Sequence, residues 1–448
     1  MTQPLDALTD QLLQAANRAG ADGADAKAVR ASSVSVDVRE GALEQAERAE
    51  GVDIGLRVFV GQRVASVSAS DTSATTITEM AERAVAMARE APEDPFAGLA
   101  SADQLAKDWD IAALELCDPA DEPTPQTLQE DATRAEAAAR AVEGVSQVQS
   151  ASAYYGYQRA HLATSNGFSG GYDRTDRGLS CVAIAGHGTG MERDYDSDSR
   201  LIQSDLRSAE EIGARAGARA VERLDARKPP TGAYPVLFDE RVSSSLIGHL
   251  LGAVNGASIA RGGSFLRDKM GELVLPEALS LTEDPHRPRT SGSRPFDGEG
   301  LPTQKRMIVE DGRLLGWTLD LANARKLGMT PTGNATRPTG SGPSPSTWNV
   351  ALTEGSASRA DLIRDMGEGL LVTSMIGSTI NPNTGDYSRG AAGFWIKDGQ
   401  ITHAINECTI AGNLNDMLRA MIPANDARAH LSRVVPSLLV PGMTLAGA

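Results

Sequence analysis

Two long runs of alternating residues, joined at Asn166-Gly167, constrain the fold of this chain more than any other feature. The runs Gln147–Ala163 and Phe168–Gly186 are rich in Tyr, Val and Ser, and Tyr and Val favour strands. Asn-Gly between such runs is the strongest short hairpin signal in the chain. The chain also contains 45 Gly and 22 Pro, more than a helical bundle needs. We therefore expect a turn-rich fold that contains antiparallel sheet.

The first part of the chain, residues 1–95, predicts an N-terminal domain of sheet and helix. Its helices carry apolar residues at i, i+3 and i+4, and its strands carry them at every second position. Gly61-Gln62 lies at the tip of a predicted hairpin. The predicted elements are a helix over 5–19, strands over 34–38, 52–60 and 63–68, and a helix over 73–91. A linker rich in Pro, Gly and acidic residues follows.

Two further blocks predict a middle domain over 115–228 and a β-rich C-terminal domain over 229–448. The middle block has an Ala-rich helix over 126–143, the hairpin around Asn166-Gly167, and a capping box at Ser208–Glu211 that opens a helix to about 225. A strand over Ala233–Phe238 and a helix over 240–254 open the last block. Its other signals are hairpin turns at Asp311-Gly312 and Asp398-Gly399 and a long loop, Gly328–Ser346, which we expect to be functional or mobile. The fold class is therefore α+β and multi-domain.

Charge and composition restrict the partners and the compartment. The formal net charge of −16 argues against direct nucleic-acid binding, because a polyanion repels this chain except at a local basic patch. Three scattered cysteines exclude a disulfide framework. No apolar run reaches the roughly 18 residues of a membrane helix, and the N-terminus has no secretory signal. We expect a cytoplasmic protein with no membrane partner.

Motifs for metal and nucleophilic catalysis are missing from the sequence. None of the six histidines pairs with another at i, i+4 or i, i+5, and none is followed by Glu, so there is no H-E-x-x-H zinc motif. The run Gly167–Gly171 matches G-x-S-x-G only inside the predicted hairpin and not at a strand-to-helix turn, and there is no phosphate-binding P-loop. The sequence itself therefore predicts no catalytic residue and no metal ligand set.

The helix over 240–254 is the segment with the strongest functional signal. Val242, Leu246, His249, Leu250 and Ala253 share one stripe, and glycines at 248, 252 and 256 share an adjacent stripe that allows close backbone approach. One interpretation is a tightly packed helix whose histidine is a satisfied core residue. The other is a helix that lines a cleft.

This helix resembles that of the TldD/PmbA family, and specifically of its PmbA (TldE) branch. In the TldD branch the segment reads HEAVGH, with zinc on both histidines, and this motif falls on residues 244–249 here. Only Gly248 and His249 match, because Ser244 and Ser245 replace the first histidine and the glutamate. The TldD branch also implies a zinc-binding cysteine in a C-terminal C-G-K context, which this chain lacks. Further segments resemble the family, and these are 164–168, 255–258, 263–266, 383–395 and 409–414.

The resemblance implies a zinc metalloprotease made of two related subunits that degrades or processes peptides and unfolded proteins. This chain would be its non-catalytic subunit, with no cofactor of its own and with zinc in a TldD-like protease partner. The degenerate positions are Ser244, Ser245 and His249, and candidate cleft or partner-contact residues are His249, Asn255, Asp386 and Arg389. An ion pair between Asp386 and Arg389 that stabilises a turn is the alternative for that pair. The isolated chain is expected to form a homodimer that imitates the heteromer.

Two other functions stay open at this point. The chain could be a stand-alone peptide- or protein-binding regulator, such as the DNA gyrase modulator that the family's historical name implies. It could also be a hydrolase whose site no known motif identifies. Whether this chain is an enzyme by itself is therefore left undecided by the sequence.

Overall fold

The computed structural model describes residues 3–447, and its fold is α+β and multi-domain, as predicted. The helices of the N-terminal half are α1 (Leu5–Ala19), α2 (Ala74–Glu90), α3 (Pro125–Arg140) and α4 (Ala209–Glu222). Its strands are β1 (Gly23–Arg39), β2 (Ala42–Val60), β3 (Arg63–Ala69), β4 (Val145–Thr164), β5 (Ser169–Ala185) and β6 (Glu192–Arg200). The hairpins predicted at Gly61-Gln62 and Asn166-Gly167 are confirmed as the β2–β3 and β4–β5 connections.

These strands form one six-stranded sheet in the order β3-β2-β1-β4-β5-β6. The blocks 1–95 and 115–228 meet within it, because β1 pairs antiparallel with β4 from Asp25 opposite Thr164 to Val38 opposite Ala151. Alternate residues of β1, from Ala24 to Val38, pack under α1 to α4. One face of the sheet is therefore covered by four helices, and residues such as Asp25 point to the other face.

Strand β6 was not predicted from the sequence, because its inward-facing residues are charged. Asp194, Asp196 and Asp198 are buried and alternate with exposed residues. Arginines neutralise them: Arg207 and Arg219 both contact the Asp196 carboxylate at 2.7 Å. An inward-pointing charged ladder also protects an edge strand from pairing with another chain.

The predicted capping box at the start of α4 is half formed. The Ser208 side chain accepts a hydrogen bond from the backbone N–H of Glu211 at 3.1 Å. The Glu211 carboxylate contacts Arg207 at 3.2 Å instead of returning to the cap. The nearby guanidinium attracts this carboxylate more strongly than a backbone N–H does.

The C-terminal half contains, among the described residues, three further sheets and five helices. The helices are α5 (Glu240–Ala253), α6 (Gly256–Ala260), α7 (Leu321–Leu327), α8 (Arg359–Met366) and α9 (Leu414–Ala420). The strands are β7 (Gly232–Phe238), β8 (Leu281–Glu283), β9 (Arg306–Glu310), β10 (Arg313–Leu314), β11 (Ala335–Thr336), β12 (Ser344–Pro345), β13 (Val350–Leu352), β14 (Gly369–Ile380), β15 (Asp386–Lys397), β16 (Gln400–Asn413), β17 (Ile422–Pro423), β18 (Arg433–Val434) and β19 (Leu438–Ala446). The hairpin turns at Asp311-Gly312 and Asp398-Gly399 are confirmed, and all four residues have positive φ.

Five of these strands close into a ring in the order β16-β15-β14-β7-β19, with β16 also pairing with β19. Alternate residues of β7 face two different hydrophobic cores. Val236 and Phe238 pack with α5, and Leu237 packs with α8. Strand β7 of this ring leads directly into α5. The ring therefore fixes the position of α5, the helix in which the family resemblance was found.

The long loop Gly328–Ser346 packs against the N-terminal sheet. Arg337 is 2% exposed and its Nε lies 2.5 Å from Asp25 Oδ1 on β1. Asp25 also contacts Arg57 of β2, with 2.5 Å between Oδ2 and Nε. Two guanidinium groups from different domains thus share one buried carboxylate. This ion pair and its burial anchor the segment around Arg337 to the N-terminal sheet.

We predict that Gly55→Ala on β2 weakens this domain contact. A methyl group at Gly55 would overlap the carbonyl oxygen of Thr339, whereas one at Gly51 on the same strand would meet nothing within 4 Å. Overpacking of this kind costs about 1–3 kcal/mol. Urea denaturation should show that loss for Gly55→Ala and almost none for the control Gly51→Ala. Equal stabilities of the two variants would contradict the close approach.

Glu299 is a second buried carboxylate at the contact between the N-terminal sheet and the C-terminal half, and its pKa is raised. Glu299 is 5% exposed, and its Oε2 accepts the backbone N–H of Leu321 at 2.8 Å. Burial and the nearby charge of Asp297 raise its pKa, and Arg57, 3.8 Å away, opposes this only in part. The folded protein therefore holds a proton on Glu299 that the unfolded chain releases near the ordinary pKa of a glutamate.

Glu299 should make stability fall as the pH rises. A carboxyl whose folded pKa is raised contributes stability that is complete below its unfolded pKa and is lost as the pH rises through the folded pKa. We predict that the free energy of unfolding of Glu299→Gln falls less between pH 5 and pH 8 than that of the wild type, by up to about 1.4 kcal/mol per pH unit. The exposed control Glu310→Gln should keep the wild-type slope. Parallel curves for all three proteins would show that Glu299 is ionised throughout.

Candidate functional site

Ionic contacts fix the start of helix α5 relative to the rest of the protein. The Asp239 side chain caps the helix by accepting the N–H of Arg241 at 3.2 Å. Arg241 lies 3.0 Å from Asp194 of β6, so the helix is tied to the edge of the N-terminal sheet. Glu240 contacts Arg428 at 2.5 Å, which ties the same turn to the C-terminal segment. The helix cannot rotate or slide without breaking partly buried charge pairs.

The buried face of α5 is broader than the predicted stripe. Leu246, Leu250 and Ala253 are buried as predicted. Val242 and His249 lie at the margin and are only half-buried. The other buried residues of the helix are Ser243, Ile247 and Leu251.

The predicted glycine stripe makes close contacts at two of its three positions. A methyl group at Gly256 would meet the carbonyl oxygen of Thr318 at 2.8 Å, and one at Gly248 would meet the Arg433 guanidinium at 3.1 Å. At Gly252 it would meet nothing within 4 Å. Gly256 lies in α6, so on α5 itself the stripe is close-packed at Gly248 and open at Gly252.

His249 lies against the neighbouring strand β15 with one ring nitrogen unused. Its ring meets the Tyr387 ring edge to face, with 5.8 Å between centroids. His249 Nε2 is buried and has no hydrogen-bond partner among residues 3–447. Burial, and then the charge of Arg389, lower the pKa of His249, so the imidazole is neutral near pH 7. The side chain is thus neither a satisfied core histidine nor a member of a visible ligand set.

Strand alternation brings Arg389 to His249 and turns Asp386 away. Tyr387 and Arg389 are two apart on β15 and share the face towards α5, whereas Asp386 belongs to the opposite face. The Arg389 Nε donates to the carbonyl of Gly377 at 2.8 Å. Asp386 instead accepts from Thr384 at 2.6 Å and from Asn413 at 3.1 Å. The alternative prediction of an Asp386–Arg389 ion pair is wrong, since each side chain has another partner.

The remaining predicted positions have local structural contacts. Asn255 caps α6 by accepting the N–H of Ala257 at 3.0 Å, and its amide donates to the carbonyl of Pro345 at 2.8 Å. Ser245 donates to the carbonyl of Val242 at 2.7 Å. Ser244 is half-buried on the same helix. The sequence analysis did not single out Tyr387, although this residue lies within the segment 383–395 that resembles the family. Its contact with His249 arises only because β15 packs against α5.

The residues around His249 do not fit a zinc ion. Zinc sites need about three protein ligands from Cys, His, Asp or Glu, and no group of three such residues that could hold a metal occurs within residues 3–447. Arg389 would repel a cation beside His249. Cys408 is buried next to the carbonyl of Ala391, and burial raises the pKa of its thiol to about 11. No step of metal chemistry can therefore be derived from these side chains.

We predict that Arg389 keeps the pKa of His249 low. An NMR titration of the histidine ring protons, assigned with the variant His249→Gln, should give a midpoint below the ordinary value of about 6.5. Arg389→Gln should raise that midpoint towards 6.5 without reaching it, because burial is the larger cause. The control Arg419→Gln, an exposed change on α9, should leave it unaltered. A wild-type midpoint above 6.5 would contradict this environment.

The fold, with its six-stranded N-terminal sheet and its C-terminal ring of strands, is that of a metallopeptidase class. Family models match nearly the whole chain: the PmbA/TldA metallopeptidase domain 1 over 24–88, its central domain over 118–224 and its C-terminal domain over 231–447. The chain belongs to this PmbA/TldD metallopeptidase family, which confirms the resemblance and gives the chain a role related to proteolysis.

Named relatives agree with this assignment. Metalloprotease PmbA of Escherichia coli O157:H7 is 37% identical over 95% of this chain and 92% of its own length. A crystal structure from Bacteroides thetaiotaomicron, of a protein named as a candidate modulator of DNA gyrase, is 27% identical with a TM-score of 0.90 and covers 99% of this chain and 98% of that one. TldE from Thermococcus kodakarensis shares the fold at 20% identity, with a TM-score of 0.86, and covers 98% of this chain and all of that one (100%).

Among residues 3–447, no helix combines the length and the apolar character that crossing a membrane requires.

Proposed function

We propose that this chain is the non-catalytic subunit of a heteromeric zinc metalloprotease, in which a TldD-like partner carries the zinc and cleaves peptides or unfolded proteins. The observation that carries the proposal is the set of side chains that α5 presents at the positions of the TldD motif. One neutral imidazole lies there beside a guanidinium, and two serines occupy the positions where the TldD branch has a histidine and a glutamate. The family fold is thus retained around residues that cannot perform its chemistry.

The missing groups matter because each has a separate task in zinc hydrolysis. Two or three charged or imidazole ligands hold the metal, and a carboxylate accepts the proton of the attacking water. A serine hydroxyl replaces neither, and that of Ser245 already donates to the backbone of its own helix. A lone imidazole beside Arg389 holds Zn²⁺ too weakly for catalysis.

A subunit of this kind contributes by shape and contacts. The open face of α5 near Gly252 is a surface where a partner chain or substrate would find space. We expect the partner to be a related chain, since homologous subunits present complementary versions of one surface. The zinc chemistry, the substrate and the water then all belong to the partner's site.

The isolated chain should retain no stoichiometric zinc and should cleave neither casein nor unstructured peptides. Elemental analysis and a fluorogenic peptide assay check this, and co-expression with a TldD-like chain should yield a complex with zinc and activity. The double variant Ser244→His/Ser245→Glu should gain affinity for zinc and still not cleave peptides, because a third ligand is missing and Arg389 remains. Peptide cleavage by the pure wild-type chain with bound zinc would overturn the proposal.

The regulator hypothesis makes the opposite prediction for purification from cells. A stand-alone modulator of DNA gyrase would bind gyrase equally well in cells that lack any TldD-like chain. Recovery of gyrase under that condition, together with full activity of the TldD-like chain alone, would favour that function over a protease subunit.

A further inference from the structure

A small cavity between the two halves of the protein is lined by more positive than negative charge. The cavity has a volume of about 60 Å³, several times the 10–15 Å³ that one water needs. Lys27 of β1 enters it from the N-terminal sheet, and Arg294 and Arg337 enter from the C-terminal half. Asp297 is the carboxylate in its lining.

The cationic side chains that line the cavity outnumber the carboxylates that lie close enough to pair with them. Arg337 and Arg57 share the carboxylate of Asp25. Lys27 and Arg294, in contrast, have no carboxylate within ion-pair distance in the described part of the chain. Lys27 donates to the carbonyl of Arg337, and Arg294 donates from Nε to the carbonyl of Gly292 at 3.3 Å.

The nearby acidic groups are already engaged. Both oxygens of Asp297 accept backbone N–H groups, from Glu299 and Leu301 at 2.9 Å and from Ala335 at 3.0 Å. Burial raises the pKa of Glu299, which removes negative charge near neutral pH. Burial and the charges of Arg337 and Arg294 lower the pKa of Lys27 to about 8, as expected for an ammonium group among other cations.

Arg294 is held in a fixed orientation although it lacks a charge partner. Its guanidinium carbon lies 3.6 Å from the centroid of the Trp348 ring. Stacking fixes the plane of the guanidinium and leaves its terminal N–H groups free to donate. A cationic group held in position without a counterion inside a protein is costly unless an anion joins it.

We propose that this cavity, which we call the Lys27–Arg294 cavity, binds a small oxyanion of the phosphate or carboxylate class. Lys27 supplies ammonium donors from one half of the protein and Arg294 supplies guanidinium donors from the other. The bound anion therefore joins the N-terminal sheet to the C-terminal domain, beside the ion pair of Asp25. This site is separate from α5 and does not depend on the proposed role in proteolysis.

Thermal unfolding of the full chain tests the site with inorganic phosphate and with acetate as probes. The ionic strength is kept constant with sodium chloride, and a titration with chloride alone serves as the control for a general salt effect. The melting temperature should rise along a saturating curve with phosphate, acetate or both, since a ligand of the native state stabilises it in this way. The probe that saturates at lower concentration distinguishes a tetrahedral inorganic anion from a carboxylate.

Matched variants separate this site from general salt effects. Lys27→Met should weaken the apparent affinity at least about tenfold, the loss expected for a charge-assisted hydrogen bond, and the exposed control Lys326→Met on α7 should behave as the wild type. Arg294→Met, which keeps an apolar chain over Trp348, gives a second test if one variant folds poorly. A response that is linear in concentration, or that is equal in the wild type and Lys27→Met, would overturn the proposal.

Discussion

The buried carboxylate of Asp25, shared by Arg57 and Arg337, determines how the two halves of this protein fit together. Both guanidinium groups contact it at 2.5 Å, and all three residues are at most 7% exposed. Such a cluster adds little net stability, because desolvation offsets the attraction between charges. Its effect is on geometry, since removing Asp25 would take from both guanidinium groups the carboxylate that they share. The face of the sheet opposite the four helices thus becomes a specific docking surface for the C-terminal domain.

A second group of ion pairs positions α5 in the same way. Asp194 on the last strand of the N-terminal sheet and Asp239 at the helix start both contact Arg241, so the sheet edge and the helix end share one cation. His249, two turns further along, is therefore held at a defined place beside Tyr387 and Arg389. The same contacts fix the open face of α5 at Gly252 relative to the N-terminal sheet.

Periodicity and turn chemistry predicted most of the local structure. The five predicted helices, the hairpins at Gly61-Gln62, Asn166-Gly167, Asp311-Gly312 and Asp398-Gly399, and the strand into α5 lie where the sequence places them, whereas α6 to α9 were not predicted. Each of these elements depends on residues that are close in sequence. The helices and strands follow from an amphipathic pattern, and the turns follow from residue types that readily adopt a positive φ. Strand β6 was missed because its buried positions are aspartates, whose arginine partners come from other elements.

The sequence by itself determined the α+β class and the family, because both are written in the identity and spacing of neighbouring residues. The tertiary structure alone decided that Asp25, Lys27 and Arg57 are interior residues, although in their strands they occupy the polar positions of an alternating pattern. It also decided that Arg389, and not Asp386, reaches His249. These outcomes depend on which elements pack together over long distances in the chain, and no local pattern encodes that packing.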